Sequence, residues 1–192
     1  MFGQIMKVTF VTGNKNKLAE VVKIIGDSLQ LDSKDVDIVE IQGTAEEITI
    51  HKCLEAAKVV NGPVIIEDTG LCFNALNGLP GPYVKWFLKE IGPAGLHKML
   101  NGFEDKTGYA ICTMGYCEGP EHEPILFKGI TNGTIVEPRG PQNFGWDPVF
   151  QPEGYNQTYA EMSAETKNSC SHRYKSIKLL QEYLSSKVEN KV

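Results

Sequence analysis

The sequence predicts an α/β fold, and three observations carry that expectation. Short strand-like runs alternate with helical apolar periodicity from Lys7 to Gly70. Thr44-x-x-Glu47 spells a capping box at the head of the second helical stretch. After residue 107, strand-like segments separated by turn residues replace the helices, which reads as an antiparallel meander forming a second lobe over roughly 107–137. The 192 residues suit a single domain built as two lobes.

The first predicted strand is "KVTFV", Lys7 to Val11, rich in β-branched and aromatic residues. Thr12-Gly13 turns the chain into a helix capped by Asn14, with Leu18, Val21, Val22 and Ile25 at i, i+3, i+4 and i+7. "DIVEIQG" reads as a second strand carrying Glu40, and the capping box then opens a helix ending at Asn61-Gly62-Pro63. "VIIEDTG" is a buried-type strand that ends in two acids, Glu67 and Asp68. Past the Gly/Pro-rich "NGLPGPY", one short helix through Trp86 stops at Gly92-Pro93, and another covers about Ala94 to Leu100. "GYAICTMGY", "PILFKGIT" and "GTIVE" are the three strands of the meander. The stretch "EPRGPQNFGWDPVFQPEGY" holds too much Pro and Gly for regular structure, and loops of that length tend to be functional. An amphipathic helix from about Ser171 to Ser186 and a frayed charged tail complete the chain.

Composition excludes several classes. A net charge of −5 argues against a nucleic-acid binder. No apolar run reaches bilayer length, and "MFGQIMKVTF" lacks an apolar signal core with a cleavage site, so no membrane partner and a cytoplasmic location are expected. Cys53, Cys72, Cys112, Cys117 and Cys170 have neither zinc-site spacing nor accompanying histidines, and read as buried free thiols.

The first helix poses an electrostatic puzzle. Its opening turn carries Lys15 and Lys17, where the helix dipole favours acids. A polyphosphate bound to the backbone N–H groups after Thr12-Gly13-Asn14 would make both cations favourable; alternatively they point into water at small cost. Neither a Walker A loop nor a dinucleotide fingerprint is present. Glu40, Glu67 and Asp68, on or at the ends of neighbouring strands, suggest Mg²⁺, which takes one or two carboxylates beside substrate phosphates. Adjacent strand residues point oppositely, so only one of Glu67 and Asp68 is expected to face the ligand. Lys52, Lys85 and Lys167 each read singly as surface lysines. "FGWD", Phe144 to Asp147, offers aromatic faces for a base.

Taken together, "TGNKNK", "EDTGL", "GLPGPYVKWF", "FGWDPVF" and "SHR", in this order, resemble the inosine triphosphate pyrophosphatase family, over Val8 to about Leu184. Position 70 is Gly, where some family members differ. The resemblance implies two α/β lobes on an elongated mixed sheet, helices on its faces, with a central cleft. It implies Mg²⁺-dependent hydrolysis of ITP, dITP or XTP to the monophosphate and pyrophosphate, with Mn²⁺ as a substitute metal, by a homodimer. Thr12, Gly13, Asn14, Lys15 and Lys17 would hold the triphosphate, with charge added by Lys52 and Lys85. Glu40 and Asp68 would hold the metal, Asp68 also serving as base, so that Glu40, Lys52 and Asp68 form the catalytic set. Phe144 would stack on the purine. Lys167, His172 and Arg173 would donate to the 6-keto oxygen, with Gly145, Trp146 and Asp147 lining the same pocket. Replacing Arg173 is then expected to lower kcat/KM for ITP far more than it alters folding. A non-catalytic nucleotide-binding module, an interaction protein sharing the fold and a pyrimidine-specific phosphohydrolase are the competing readings.

Overall fold

A computed structural model describes residues 7–189. The first six residues of the stretch read for a targeting signal, and the last three of the predicted tail, lie outside them. Among the described residues no helix is long and apolar enough to cross a membrane.

The architecture is mixed α/β, as expected. Strands β1 (Lys7–Val11), β2 (Gln30–Lys34), β3 (Val64–Phe73), β4 (Pro80–Gly81), β5 (Thr107–Cys117), β6 (Ile125–Ile135) and β7 (Phe150–Pro152) form one seven-stranded sheet. Its order is β2-β1-β3-β5-β6-β7, with β4 paired to β3. The β1–β2 and β1–β3 pairs are parallel, while β3–β4 and β6–β7 are antiparallel. Five helices accompany it among the described residues: α1 (Lys15–Ile25), α2 (Ala45–Val60), α3 (Val84–Lys98), α4 (Ala164–Cys170) and α5 (His172–Glu189).

The chain divides into two compact units. The first takes the described residues up to Asp68, Cys112–Gly129 and those from Arg173 onward; the second takes Thr69–Ile111 and Ile130–His172. Strands β3, β5 and β6 therefore contribute residues to both. The first unit holds two apolar clusters, one around Phe10, Ile65, Met114 and Leu180, the other around Val11, Ala56 and Ile66. The second unit is built on Phe73, Leu96, Leu100, Phe150 and Tyr159. Burial of such side chains, worth roughly 1.5–3 kcal/mol each, is what holds the sheet and helices together.

Local signals placed several elements correctly. Asn14 Oδ1 accepts from the N–H groups of Asn16 and Lys17 at 3.0 Å each, so α1 starts where the cap predicted. Thr44 and Glu47 form both halves of the capping box, and α2 stops at Asn61 in the left-handed conformation. The helix pair around residue 92 is α3, broken at Gly92, whose φ is +64°. Cys53, Cys72, Cys112 and Cys117 are buried free thiols, and Cys170 is half-buried.

Other elements differ. "DIVEIQG" is not a strand: Glu40 lies in the loop between β2 and α2. Val36 and Ile38 of that loop pack on the Val11–Ile66 cluster, so the alternation reflects two anchoring side chains and not a hydrogen-bonded ladder. The partner of β1 is instead the polar Gln30–Lys34, in register Lys7↔Gln30 to Val11↔Lys34. Being an edge strand, it needs little apolar patterning. "VIIEDTG" does not end at its acids; β3 continues to Phe73, leaving Glu67 and Asp68 at mid-strand. The second and third meander runs are one strand, β6, passing straight through Asn132-Gly133. A Cβ at Gly133 would lie 2.4 Å from the Gln151 carbonyl oxygen of β7, so this glycine serves close strand approach and not a turn. The Pro/Gly-rich stretch contains a short 3₁₀ turn (Asp147–Val149) and β7. Lys167, read singly as a surface lysine, is buried inside α4, and α5 runs to Glu189. Val22 is exposed and outside the apolar face of α1.

Candidate active site

In the first unit the turn Thr12-Gly13-Asn14 joins β1 to α1. Thr12 donates its N–H to the Lys34 carbonyl at 2.9 Å, and its Oγ1 accepts from the Asn14 N–H at 3.1 Å. Gly13 packs beside Asp35, where a Cβ would come within 2.7 Å of the carboxylate. Lys15 is exposed. Lys17, one of the two ill-placed cations, pairs with Glu67 of β3 at 3.0 Å. The cost of a lysine against the helix dipole is offset by a buried carboxylate, an answer that neither sequence alternative contained.

Glu67 is the centre of a four-residue charge cluster. Its side chain is 1% exposed and accepts two hydrogen bonds from Arg173, Nε to Oε2 at 2.7 Å and Nη2 to Oε1 at 2.8 Å. Such fork-to-fork pairing is short and directional. Arg173 Nη1 donates to Glu20 of α1. Burial disfavours the guanidinium charge, but Glu67 and Glu20 outweigh that and hold Arg173 protonated. Glu20 was not singled out by sequence, although it lies three residues after Lys17 and so shares a helix face with it.

Asp68, on the opposite side of the strand, meets a different partner. Lys52 of α2 lies 3.5 Å from Asp68 Oδ1. Asp68 Oδ2 is buried without a hydrogen-bond partner. Burial raises the Asp68 pKa above the ordinary aspartate value, and the nearby charges of Lys52 and Lys17 offset only part of that. A buried carboxylate oxygen left unpaired costs free energy and has the chemistry of a cation ligand or water-activating base. Glu40, the other expected metal ligand, is exposed in its loop. No group of three or more His, Cys, Asp or Glu that could hold a metal occurs among the described residues.

The second unit carries an aromatic cage. Phe144 is half-buried, Gly145 has φ +52°, and Trp146 and Asp147 are buried. Lys167 Nζ donates to Asp147 Oδ2, with side chains 7% and 11% exposed. The same ammonium stands 4.5 Å from the Phe144 ring centroid and 5.4 Å from that of Tyr159. His172 stacks on Tyr159, centroids 5.8 Å apart at 23°, and lies 5.4 Å from Trp146. Tyr159 carried no sequence signal. Lys85 is exposed on α3, 5.4 Å from its neighbour Trp86. A Cβ at Gly70 would lie 2.9 Å from the Gly81 carbonyl carbon, so β4 leaves no room for another residue there.

Lys17, Lys52, Asp68 and Arg173 thus belong to the first unit, and Phe144, Trp146, Asp147, Lys167 and His172 to the second. The expected base-reading donors divide: Lys167 and His172 join the aromatic cage, whereas the Arg173 guanidinium is committed to Glu67 and Glu20.

The family model described as the Ham1 family matches residues 8–183. The inosine triphosphate pyrophosphatase of Candida albicans (strain WO-1) is 54% identical over 198 residues, covering 93% of this chain and 98% of that protein. That of Chaetomium globosum is 55% identical over 181 residues, covering 94% of each. Among solved structures, a HAM1 protein from Coxiella burnetii superposes with a TM-score of 0.84 at 28% identity, covering 95% of this chain and all of that one. With the family's pattern matched over nearly its whole length and relatives at more than half identity, the chain belongs to the Ham1 family.

Proposed function

We propose that this chain hydrolyses non-standard purine nucleoside triphosphates, ITP, dITP and XTP, to the monophosphate and pyrophosphate, clearing them from the nucleotide pool. The observation that carries the reading is Asp68: a buried carboxylate with one unpartnered oxygen and a raised pKa, flanked by Lys52 in a chain whose relatives bear that activity in their names. A carboxylate whose pKa is raised toward the working pH is a better proton acceptor.

Asp68 takes a proton from water as the water oxygen attacks the α-phosphorus. The bond from that phosphorus to the bridging oxygen breaks, and pyrophosphate leaves with the electron pair. Lys17 and Lys52 hold the phosphates, with Lys15 and Lys85 adding charge, and these cations stabilise the spreading negative charge. Mg²⁺ fits the donor set, since Asp68 Oδ2 is an orphaned hard oxygen; Asp68 and Glu40 would hold it, and it would supply Lewis-acid stabilisation of phosphoryl oxygens. Phe144 stacks on the base. Lys167 and His172 donate to a 6-keto oxygen, so adenine, which presents an amino group there, would leave buried donors unpaired at about 1–3 kcal/mol each. The protein acts on free nucleotides in the cytoplasm, as a homodimer.

The test is incubation with ITP, ATP and GTP in parallel, with Mg²⁺ and with chelator, resolving products by anion exchange. IMP and pyrophosphate from ITP, with little from ATP or GTP and none under chelation, are expected. IDP with orthophosphate would move the attack to the γ-phosphorus and refute the mechanism.

A further inference from the structure

The Lys17–Glu67–Arg173–Glu20 cluster contains more than charge balance. Glu67 Oε1 is shared: Arg173 Nη2 donates to it at 2.8 Å, and Lys17 Nζ stands 3.0 Å away. The members differ in access. Glu67 and Arg173 are 1% and 2% exposed and locked by a bidentate fork, whereas Lys17 is 22% exposed on a flexible four-carbon stem. Of the four side chains Lys17 is the most exposed, Glu20 being 15% exposed.

We propose that Glu67 is a positioning residue acting through Lys17 and Arg173: it restrains Lys17 in the free protein, and a triphosphate must take that lysine from it. The inference rests on the assignment of Lys17 to phosphate made above. Withdrawal of Lys17 takes a positive charge from beside the buried Glu67, so every phosphate ligand binds against that penalty. A bare polyphosphate has nothing else with which to offset it, whereas a whole nucleotide adds base and sugar contacts. Glu67 thereby weakens a bare polyphosphate and a whole nucleotide by the same factor, and only the nucleotide has further contacts with which to stay bound. At the same time Oε1 passes wholly to Arg173, which stays anchored.

Inorganic tripolyphosphate is the probe. Glu67→Gln removes the restraining charge at nearly constant volume. Its tripolyphosphate dissociation constant should fall about tenfold by calorimetry, while kcat for ITP falls and KM does not rise. A residue that merely supported the fold would weaken both. Glu67→Asp, which keeps the charge, should return tripolyphosphate binding to the wild-type value, and in a Lys17→Ala background Glu67→Gln should give no gain. Should Glu67→Gln fail to fold, the wild-type protein serves: tripolyphosphate should shift the Glu67 side-chain carboxyl ¹³C resonance, and Lys17→Ala should abolish the shift. Unchanged or weaker tripolyphosphate binding by folded Glu67→Gln, or an unmoved Glu67 resonance, overturns the proposal. If the wild type turns over ITP while either of these holds, only this proposal falls. If it neither hydrolyses ITP nor binds tripolyphosphate, the assignment of Lys17 to phosphate falls with it.

Discussion

The two units bury charge by different means. In the first, carboxylates on one strand are distributed among cations from three helices: Glu67 serves Lys17 of α1 and Arg173 of α5, and Asp68 faces Lys52 of α2. In the second, the buried ion pair Lys167–Asp147 lies beside the rings of Phe144 and Tyr159. In the network, withdrawal of Lys17 would leave Glu67 held by Arg173, at the cost of one positive charge beside it. In the second unit, removal of either member of the pair takes a counter-charge from the other in a medium of low polarity. The first arrangement suits groups that must change partners during a reaction, the second a surface that must keep its shape.

The largest expected effect tests the first unit. Asp68→Asn should reduce kcat for ITP by about 10²–10⁴-fold, the usual worth of a positioned base, without lowering Tm. The sign follows from the raised pKa. The folded state holds the Asp68 proton more tightly than the unfolded state, so its contribution to stability is present at acid pH and is lost as pH rises through the folded value. The asparagine variant should show a correspondingly flatter dependence of denaturation midpoint on pH. A large fall in Tm at neutral pH would instead make Asp68 a structural member of the network.

Next comes the pair in the second unit. Lys167→Met should destabilise by about 3–5 kcal/mol, since it removes the cation beside the buried Asp147 carboxylate, and adding Asp147→Asn should recover most of that loss. Denaturant midpoints check both. Arg173→Ala belongs to the same scale: with its guanidinium held by two carboxylates, the structure replaces the expectation of a mainly kinetic effect with a substantial folding cost. If Lys167→Met proved harmless, the contrast between pair and network would fail.

Phe144→Ala sharpens the comparison from the ligand side. Its half-buried ring carries little of the core, so kcat/KM for ITP should fall by about 1–3 kcal/mol equivalent, the usual worth of base stacking, with Tm nearly unchanged. The smallest effect is at Lys85. Exposed on α3, it should change stability by less than about 0.5 kcal/mol on replacement by Ala. KM for ITP should rise only a few-fold, an effect that added salt erases.

Much was legible in local chemistry. The Asn14 cap, the Thr44/Glu47 box, the left-handed Asn61 and the break at Gly92 are short-range devices, each written within a few residues, and all stand where the sequence placed them. Errors arose where pairing across the sheet decided. Gln30–Lys34 became a strand because β1 offered its backbone, not because its side chains asked for one. "DIVEIQG" had the alternation of a strand and no such neighbour. Gly133 looked like punctuation until β7 lay against it.

The candidate site divides along the same line. Sequence alone determined which chemical groups the protein possesses and the order of its motifs, because side-chain identity and local helix capping need no distant partner. Only tertiary structure decided which carboxylate each cation meets. Arg173 and Glu67 are 106 positions apart. The alternating pleat of β3 turned Glu67 toward Lys17 and Arg173, and Asp68 toward Lys52. That one-residue difference in register decides which cations each carboxylate meets, and no local pattern in the chain encodes it.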